Sequence, residues 1–307
     1  MKQLFFIISV LLGISAFAQQ EPLLTQYYVN DMVINPAVSG TKIYNPLIIQ
    51  TRQQWLGFEG APLTSNVSYH GALNNRSAMG GYLMFDKLSR SMQANLHLNY
   101  AYHIPLNYDK VNLSFGLGGK VMYHNLDFNK EDLPPGDDPA FSASSYDKTF
   151  ADASSGVYLY GHNFYAGFSV SNMFQSSFNT PVSGSPYSNS EFRNYYGMGA
   201  YRINIINNYW QLEPSFLIRK MQFQSSITDL TTRILYLEKT WTGLTYRTNG
   251  TAIFIFGFSA NNMDICYSYD HTFAGEIMQY TYGTHELGIT FRVETMATKK
   301  HIGFWGD

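Results

Sequence analysis

The sequence predicts an all-β fold, a transmembrane antiparallel β-barrel of about 14 strands, and three observations predict it. Long stretches alternate apolar and polar residues with a period of two. The composition is rich in aromatics (16%) and short of charge (14%), where a soluble domain carries roughly 25% charged residues. The chain opens on an export signal, and no later stretch has the roughly 20 apolar residues of a membrane-spanning helix. An exported chain rich in Tyr, Phe, Gly, Asn and Ser without helical spans fits the outer-membrane barrel class.

The same numbers exclude other classes. A hydrophobic content of 45% is too high for a disordered chain. A net charge of −2 offers no basic surface for nucleic acid. The single cysteine, Cys266, removes disulfide frameworks and CxxC metal or redox sites.

The first segment sets the compartment. Lys2 supplies a positive n-region, Leu4 to Ile14 an apolar h-region, and Ala16-Phe17-Ala18 a small-x-small cleavage site. A signal peptide over 1–18 is expected, with the mature chain beginning near Gln19. No Cys follows the cleavage site, so no lipoprotein anchor is expected. Residues 19–46 form an N-terminal periplasmic or plug segment. Their Tyr27, Tyr28, Met32, Val33 and Ile34 are too apolar for a free tail and should pack in the lumen or at its periplasmic mouth. The barrel is expected over 47–293, followed by a periplasmic tail at 294–307.

Within the barrel the alternation is explicit. Over 93–104, Ala94, Leu96, Leu98, Tyr100, Tyr102 and Ile104 oppose Gln93, Asn95, His97, Asn99, Ala101 and His103. Over 283–293, Leu287, Ile289, Phe291 and Val293 oppose Glu286, Gly288, Thr290 and Arg292. The apolar face should meet lipid and the polar face the lumen. The predicted strands are 47–54, 63–73, 77–87, 91–104, 110–124, 151–161, 163–173, 193–206, 208–221, 223–238, 241–249, 251–261, 263–271 and 283–293. An even count places both termini in the periplasm. The three longest connections, 125–150, 174–192 and 272–282, all follow odd-numbered strands, as extracellular loops should. Ile253 and Ile255 are apolar on the face opposite Phe254, Phe256 and Phe258, which predicts a packed lumen at strand twelve.

Signals for catalysis are weak. None of the eight histidines has HExxH spacing. His97 and His103 share one face but lie about 20 Å apart along the strand, and adjacent His285 and Glu286 point to opposite faces. Gly116-Leu117-Gly118-Gly119-Lys120 lacks P-loop spacing and sits inside a strand. Its glycines are expected to make room for a plug or for curvature. Loop 125–148 carries six acidic residues and Pro134-Pro135-Gly136 without EF-hand spacing, and reads as a solvated acidic loop. No enzyme activity, metal or cofactor is expected, and Cys266 is given no redox role.

Three segments are more specific than composition. Thr25-Gln26-Tyr27-Tyr28 leads to Ile34-Asn35-Pro36-Ala37-Val38-Ser39-Gly40. Then come Arg52-Gln53-Gln54-Trp55-Leu56-Gly57-Phe58-Glu59-Gly60-Ala61-Pro62 and Thr64. Near the end stand Tyr269-Asp270 and Tyr282-Gly283-Thr284-His285-Glu286-Leu287. In order and spacing, from about Leu24 to Val293, the chain resembles the PorP/SprF family of type IX secretion outer-membrane proteins. Asn35, Pro36, Ala37, Arg52, Gly57, Pro62, His285 and Glu286 are the positions that carry the likeness.

The resemblance implies an accessory barrel of the secretion and gliding machinery rather than an enzyme. It implies a surface adhesin with a C-terminal sorting domain as cargo, and periplasmic components of the machine as further partners beside outer-membrane lipid. The family pattern supplies no catalytic set. The chain departs from many outer-membrane barrels in continuing beyond its last strand. Trp55 and Phe58, between strands one and two, are candidate partner-binding residues, because rigid aromatics dominate protein interfaces; the alternative is that they form part of the membrane girdle. Asn35-Pro36-Ala37 before a 14-strand barrel also resembles FadL-type channels for hydrophobic solutes, the second functional reading.

Overall fold

In the computed structural model, which describes residues 22–106, 110–127, 145–179, 188–206, 209–273 and 279–294, the period-two segments pair with their chain neighbours throughout. The strands are β1 (Asn45–Gln53), β2 (Leu63–Ala72), β3 (Ser77–Leu88), β4 (Ser91–Leu106), β5 (Val111–Asp127), β6 (Ser145–Gly161), β7 (Phe164–Ser171), β8 (Ser177–Asn179), β9 (Ser188–Ser190), β10 (Asn194–Tyr201), β11 (Ile203–Ile206), β12 (Trp210–Met221), β13 (Ile227–Tyr236), β14 (Thr240–Arg247), β15 (Thr251–Ala260), β16 (Met263–Thr272) and β17 (Thr284–Val293). All but β8 and β9 join one antiparallel sheet, and β1 pairs with β17 from Asn45↔Val293 to Gln53↔His285. That pairing closes the sheet on itself and abolishes its edges. β10 and β11 are successive parts of one wall strand, both paired to β12, so the barrel has the fourteen strands expected.

Apart from shifts of a few residues at strand ends, three features differ from the sequence reading. The eighth wall strand is not continuous over 193–206. It breaks at Arg202, whose side chain turns inward to Glu213, and the β11–β12 register then shifts between Asn204 and Ile206. β5 and β6 extend further than 124 and 151, pairing out to Asp127↔Ser145, because polar residues there alternate without a breaker until the Pro-Pro-Gly run. The connection after β7 contains a small hairpin, β8–β9. The predicted signal peptide and almost all of the predicted tail lie outside the described residues, as does the acidic centre of loop 125–148.

Alternation decides which side chain faces where. Leu96, Leu98, Tyr100, Tyr102 and Ile104 are exposed on the outer face of β4, whereas Asn95, His97, Asn99 and His103 are buried inside. On β15, Phe254, Phe256 and Phe258 face out and Ile253 and Ile255 are buried. A continuous belt of exposed Leu, Phe, Tyr and Met is untenable in water and suits lipid. The connections after β1, β3, β5, β7, β12, β14 and β16 lie at one end, here the long-loop end. The short turns after β2, β4, β6, β11, β13 and β15 lie at the other.

Residues 22–44 pack against the inward face of the wall. Their backbone runs as two short 3-10 turns, Asp31–Val33 and Pro36–Val38, so most of its polar groups need partners from the strands. The inward-facing residues supply them all round. Tyr27 bonds Ser215 and Thr231, and Asn30 bonds Gln50, Asn66 and Ser68. Ser169 donates to the Ile34 carbonyl, and His70 accepts from Gly40 N–H. The Asn35 side chain accepts from Ala37 N–H and donates to the Val157 carbonyl of β6 at 3.1 Å.

Small residues in the wall make this fit possible. A Cβ at Gly116 would overlap the backbone of Pro36 and Ala37, and one at Gly156 would overlap the Asn35 amide. The Gly116 glycine therefore has the role the sequence suggested, making room for the N-terminal segment. We expect Gly116→Val to destabilise the barrel by about 1–3 kcal/mol through overpacking. Gly119→Ala, whose Cβ would meet nothing within 4 Å, should stay within about 0.5 kcal/mol. Urea unfolding followed by the gel mobility of unheated samples compares the two.

Candidate functional site

The three segments that carry the family resemblance meet in one buried cluster near the long-loop end. Arg52 lies on the inward face of β1, Asp270 on β16 and Glu286 on β17, and each is at most 5% exposed. Arg52 pairs with Asp270 at 2.8 Å and with Glu286 at 3.1 Å. The N-terminal segment completes the arrangement. Thr25 N–H and Gln26 N–H donate to the two Glu286 carboxylate oxygens at 2.8 and 3.0 Å. The Thr25 hydroxyl donates to Asp270 and accepts from Arg52. Gln26 reaches past them, donating to the Glu286 carbonyl at 2.9 Å, in the space left by Gly288. Two backbone donors plus a guanidinium form a charge-assisted clamp on a desolvated carboxylate.

From this cluster a chain of ion pairs runs along the inner wall. Arg247 lies 3.8 Å from Asp270 and bonds Asp229, which also takes Arg219 at 2.9 Å. Arg219 in turn donates to the Leu24 carbonyl. Beside it, Glu213 bridges Arg202 and Arg233, and the Arg233 guanidinium lies 3.9 Å over the Tyr28 ring. Every one of these charges alternates with an outward apolar residue, as a lumenal face requires. Asp31 is tied to Lys42 at 2.9 Å. Burial pushes its carboxyl above the usual carboxylate range, against the pull of the Lys42 ammonium. The cluster positions the segment.

Above the cluster, the same segments build the rim. Leu56 and the 279–283 stretch exchange two backbone bonds: Leu56 N–H to the Gly283 carbonyl and Tyr282 N–H to the Leu56 carbonyl, each at 2.8 Å. Trp55 N–H donates to Thr284 Oγ1. Gly57 (φ +92°) and Gly283 (φ +87°) take left-handed backbone, and side chains there would collide with the rings of Tyr282 and Tyr269. Pro62 lends its carbonyl to Gln54 N–H. Leu56, Phe58, Tyr280 and Tyr282 are left exposed, with Trp55 half-buried among them. His285, facing outward, accepts or donates at Nδ1 to the Tyr267 hydroxyl at 2.6 Å.

The structure thus gathers Arg52 and Glu286 in the clamp, and Trp55, Gly57, Phe58 and Pro62 in the adjoining loop. Asn35, Pro36 and Ala37 sit apart, at the wall formed by β5, β6 and β7. Residue selection from the sequence missed Asp270, Thr25 and Gln26 as members of the cluster, although all three stand in the quoted motifs. It also missed the arginines and carboxylates of β12, β13 and β14. Their signal was available: charges at inward parity in a chain with few charges.

A closed antiparallel barrel with a lipid-compatible outer face and a filled, ion-paired inner face defines an outer-membrane β-barrel protein. The model of the family described as type IX secretion system membrane protein PorP/SprF matches residues 16–291, and the chain belongs to that family. No curated protein matches the sequence. Among solved structures, the chain is similar to the Ralstonia pickettii toluene transporter TbuX, with 10% identity over 86% of this chain and 93% of that one and a TM-score of 0.54. The toluene transporter TodX of P. putida is similar at 10% identity, 85% and 92% coverage and a TM-score of 0.50. At such identities the likeness is one of fold.

Removing Arg52 takes away the guanidinium that the two buried carboxylates share, leaving Asp270 the longer pair with Arg247 and Glu286 its two backbone donors. Arg52→Ala is therefore expected to destabilise the barrel by about 3–5 kcal/mol. Arg52→Lys should recover only part of that loss, because an ammonium lacks the planar fork that reaches Thr25, Asp270 and Glu286 together. The midpoint of urea unfolding in detergent measures both.

Proposed function

We propose that this barrel is a non-enzymatic accessory of the type IX machinery that helps secrete, retain or display a surface adhesin through the adhesin's C-terminal sorting domain. Family membership supports the machinery. The observation that carries the docking role is the rim. Loops 54–62 and 279–283 are hydrogen-bonded into one platform that exposes Leu56, Phe58, Tyr280 and Tyr282 at the end that faces outward in barrels of this class. Rigid aromatics on a fixed backbone lose little entropy on binding.

Residues 22–44 act in this reading as a plug that denies the lumen to solutes and holds the platform from beneath through Thr25, Gln26 and the Arg52 cluster. Periplasmic components of the machine meet the short-turn end. Trp55→Ala with Phe58→Ala is expected to weaken adhesin capture at least about tenfold, since a single hot-spot aromatic contributes about 2 kcal/mol. Surface display of the adhesin, with barrel folding checked by gel mobility, reads the effect; full display by a folded double variant would remove this role for the platform.

A channel for hydrophobic solutes is the second reading, favoured by the fold likeness to TbuX and TodX, which are toluene transporters. Proteoliposomes distinguish the two. The accessory reading expects no toluene uptake above empty vesicles, and saturable uptake would favour the channel.

A further inference from the structure

The wall is not of even height. β5 and β6 pair out to Asp127↔Ser145, whereas β7 pairs with β6 only over Ser155 to Tyr160. Above that the chain leaves the sheet. Met173 N–H donates to the Ala153 carbonyl and the Ser176 hydroxyl to the Ala151 carbonyl, and β8 then pairs with β9. Beyond Ala151, β6 has no strand on its β7 side among the described residues. The carbonyls of Ala151 and Ala153 fix which groups stand at this edge. By the period of two, Asp147 and Thr149 also turn N–H and C=O away from β5, while Lys148 and Phe150 turn theirs toward it. Asp147, Lys148 and Thr149 are exposed, and their polarity sets the edge in water beyond the apolar belt.

An open edge is a template for another strand, and native proteins blunt it with proline, bulges or charges. Asp147-Lys148-Thr149-Phe150-Ala151 contains no proline, and its register with β5 runs without a shift. The Asp147 carboxylate is drawn back over β5, accepting from the Tyr123 hydroxyl at 2.7 Å and the Asn125 amide at 2.6 Å. Lys148 remains, and opposite an added strand it selects an acidic residue. The edge also continues the platform. Ser89 N–H donates to the Gly60 carbonyl and Asp127 N–H to the Arg90 carbonyl. Backbone bonds thus link loop 279–283 through loop 54–62 and the β3–β4 turn to the top of β5, and so to β6. A row of alternating backbone donors and acceptors is matched in spacing by another extended main chain; lipid and small solutes offer no such row.

We propose that the β6 edge at Asp147 and Thr149 receives one extended polypeptide strand, paired main chain to main chain, with an acidic side chain opposite Lys148. That the strand belongs to the captured adhesin rests on the function proposed above; the edge itself does not. Amide hydrogen exchange by NMR on the mature barrel in detergent micelles tests it. In the free barrel Asp147 and Thr149 should exchange fast, and Lys148 and Phe150 slowly. Uniform protection would overturn the proposal, since the chain's own loops or a second copy would then hold the edge. A short acetylated peptide of alternating threonine and valine with a central glutamate should slow exchange at Asp147 and Thr149 saturably; no slowing would also overturn it. Thr149→Pro removes an N–H that the sheet does not use, and should weaken the peptide at least about fivefold, the loss of one main-chain bond, with Asp147 as the reporter. Thr149→Val, which keeps the N–H, should bind as before. Equal binding by a folded proline variant would count against strand pairing, and the exchange measurement on the unaltered barrel stands where that variant fails to fold. In cells, display lost in Trp55→Ala with Phe58→Ala but full in Thr149→Pro would remove the edge alone. Peptide binding intact with display full in both variants would remove the adhesin reading alone.

Discussion

A carboxylate withdrawn from water inside a barrel must have its oxygens met, and Glu286 imposes that condition on this molecule. It does so at the seam where the sheet closes. The β1–β17 pairing brings Arg52 directly opposite Glu286, so the guanidinium is delivered by the same register that seals the barrel. The remaining donors come from the backbone of Thr25 and Gln26. Closure and the seating of the N-terminal segment are thereby joined, because an unseated segment would leave a buried carboxylate under-coordinated, the costly case for buried ions.

The wall and the segment also share their glycines. Gly116, Gly156 and Gly288 sit at inward positions where a side chain would strike Pro36, Asn35 or Gln26. Glycine weakens a strand, and here neighbouring atoms of the segment fill the volume that the missing side chains leave. The Asn35 amide goes further and donates to the Val157 carbonyl in the wall. Motif residues at both ends of the segment, Thr25-Gln26 and Asn35-Pro36-Ala37, are thus explained by separate contacts, one with a carboxylate and one with thinned backbone.

The fold was legible in the sequence because a barrel strand exposes its two faces to two different solvents, and period two records both. Strand number, order and the parity of long connections followed from that alone. The break at Arg202 was not legible, since nothing in Tyr201-Arg202-Ile203 departs from alternation. The candidate cluster was half legible. Arg52 and Glu286 stood out within unusual motifs, but the pairing that joins residues 234 positions apart is a property of closure, and no local pattern encodes it. Gly57 was singled out without a reason, which its left-handed backbone against the Tyr282 ring now provides.

The distribution of order bears on how such a barrel would work. A channel needs a lumen whose contents exchange, yet here the inner faces of β1, β12, β16 and β17 hold residues 24–26 by charge-assisted hydrogen bonds. Those interactions resist displacement far more than the apolar contacts that surround a passing solute. The side of the interior toward β3, β4 and β5 is different in kind, with methionines, a cavity and unmet amides. Rigidity therefore lies beneath the aromatic platform, where a docking surface needs pre-organisation. One chain segment separates the two regions and belongs to both, bonded to the Glu286 carboxylate on one side and lining the open space on the other.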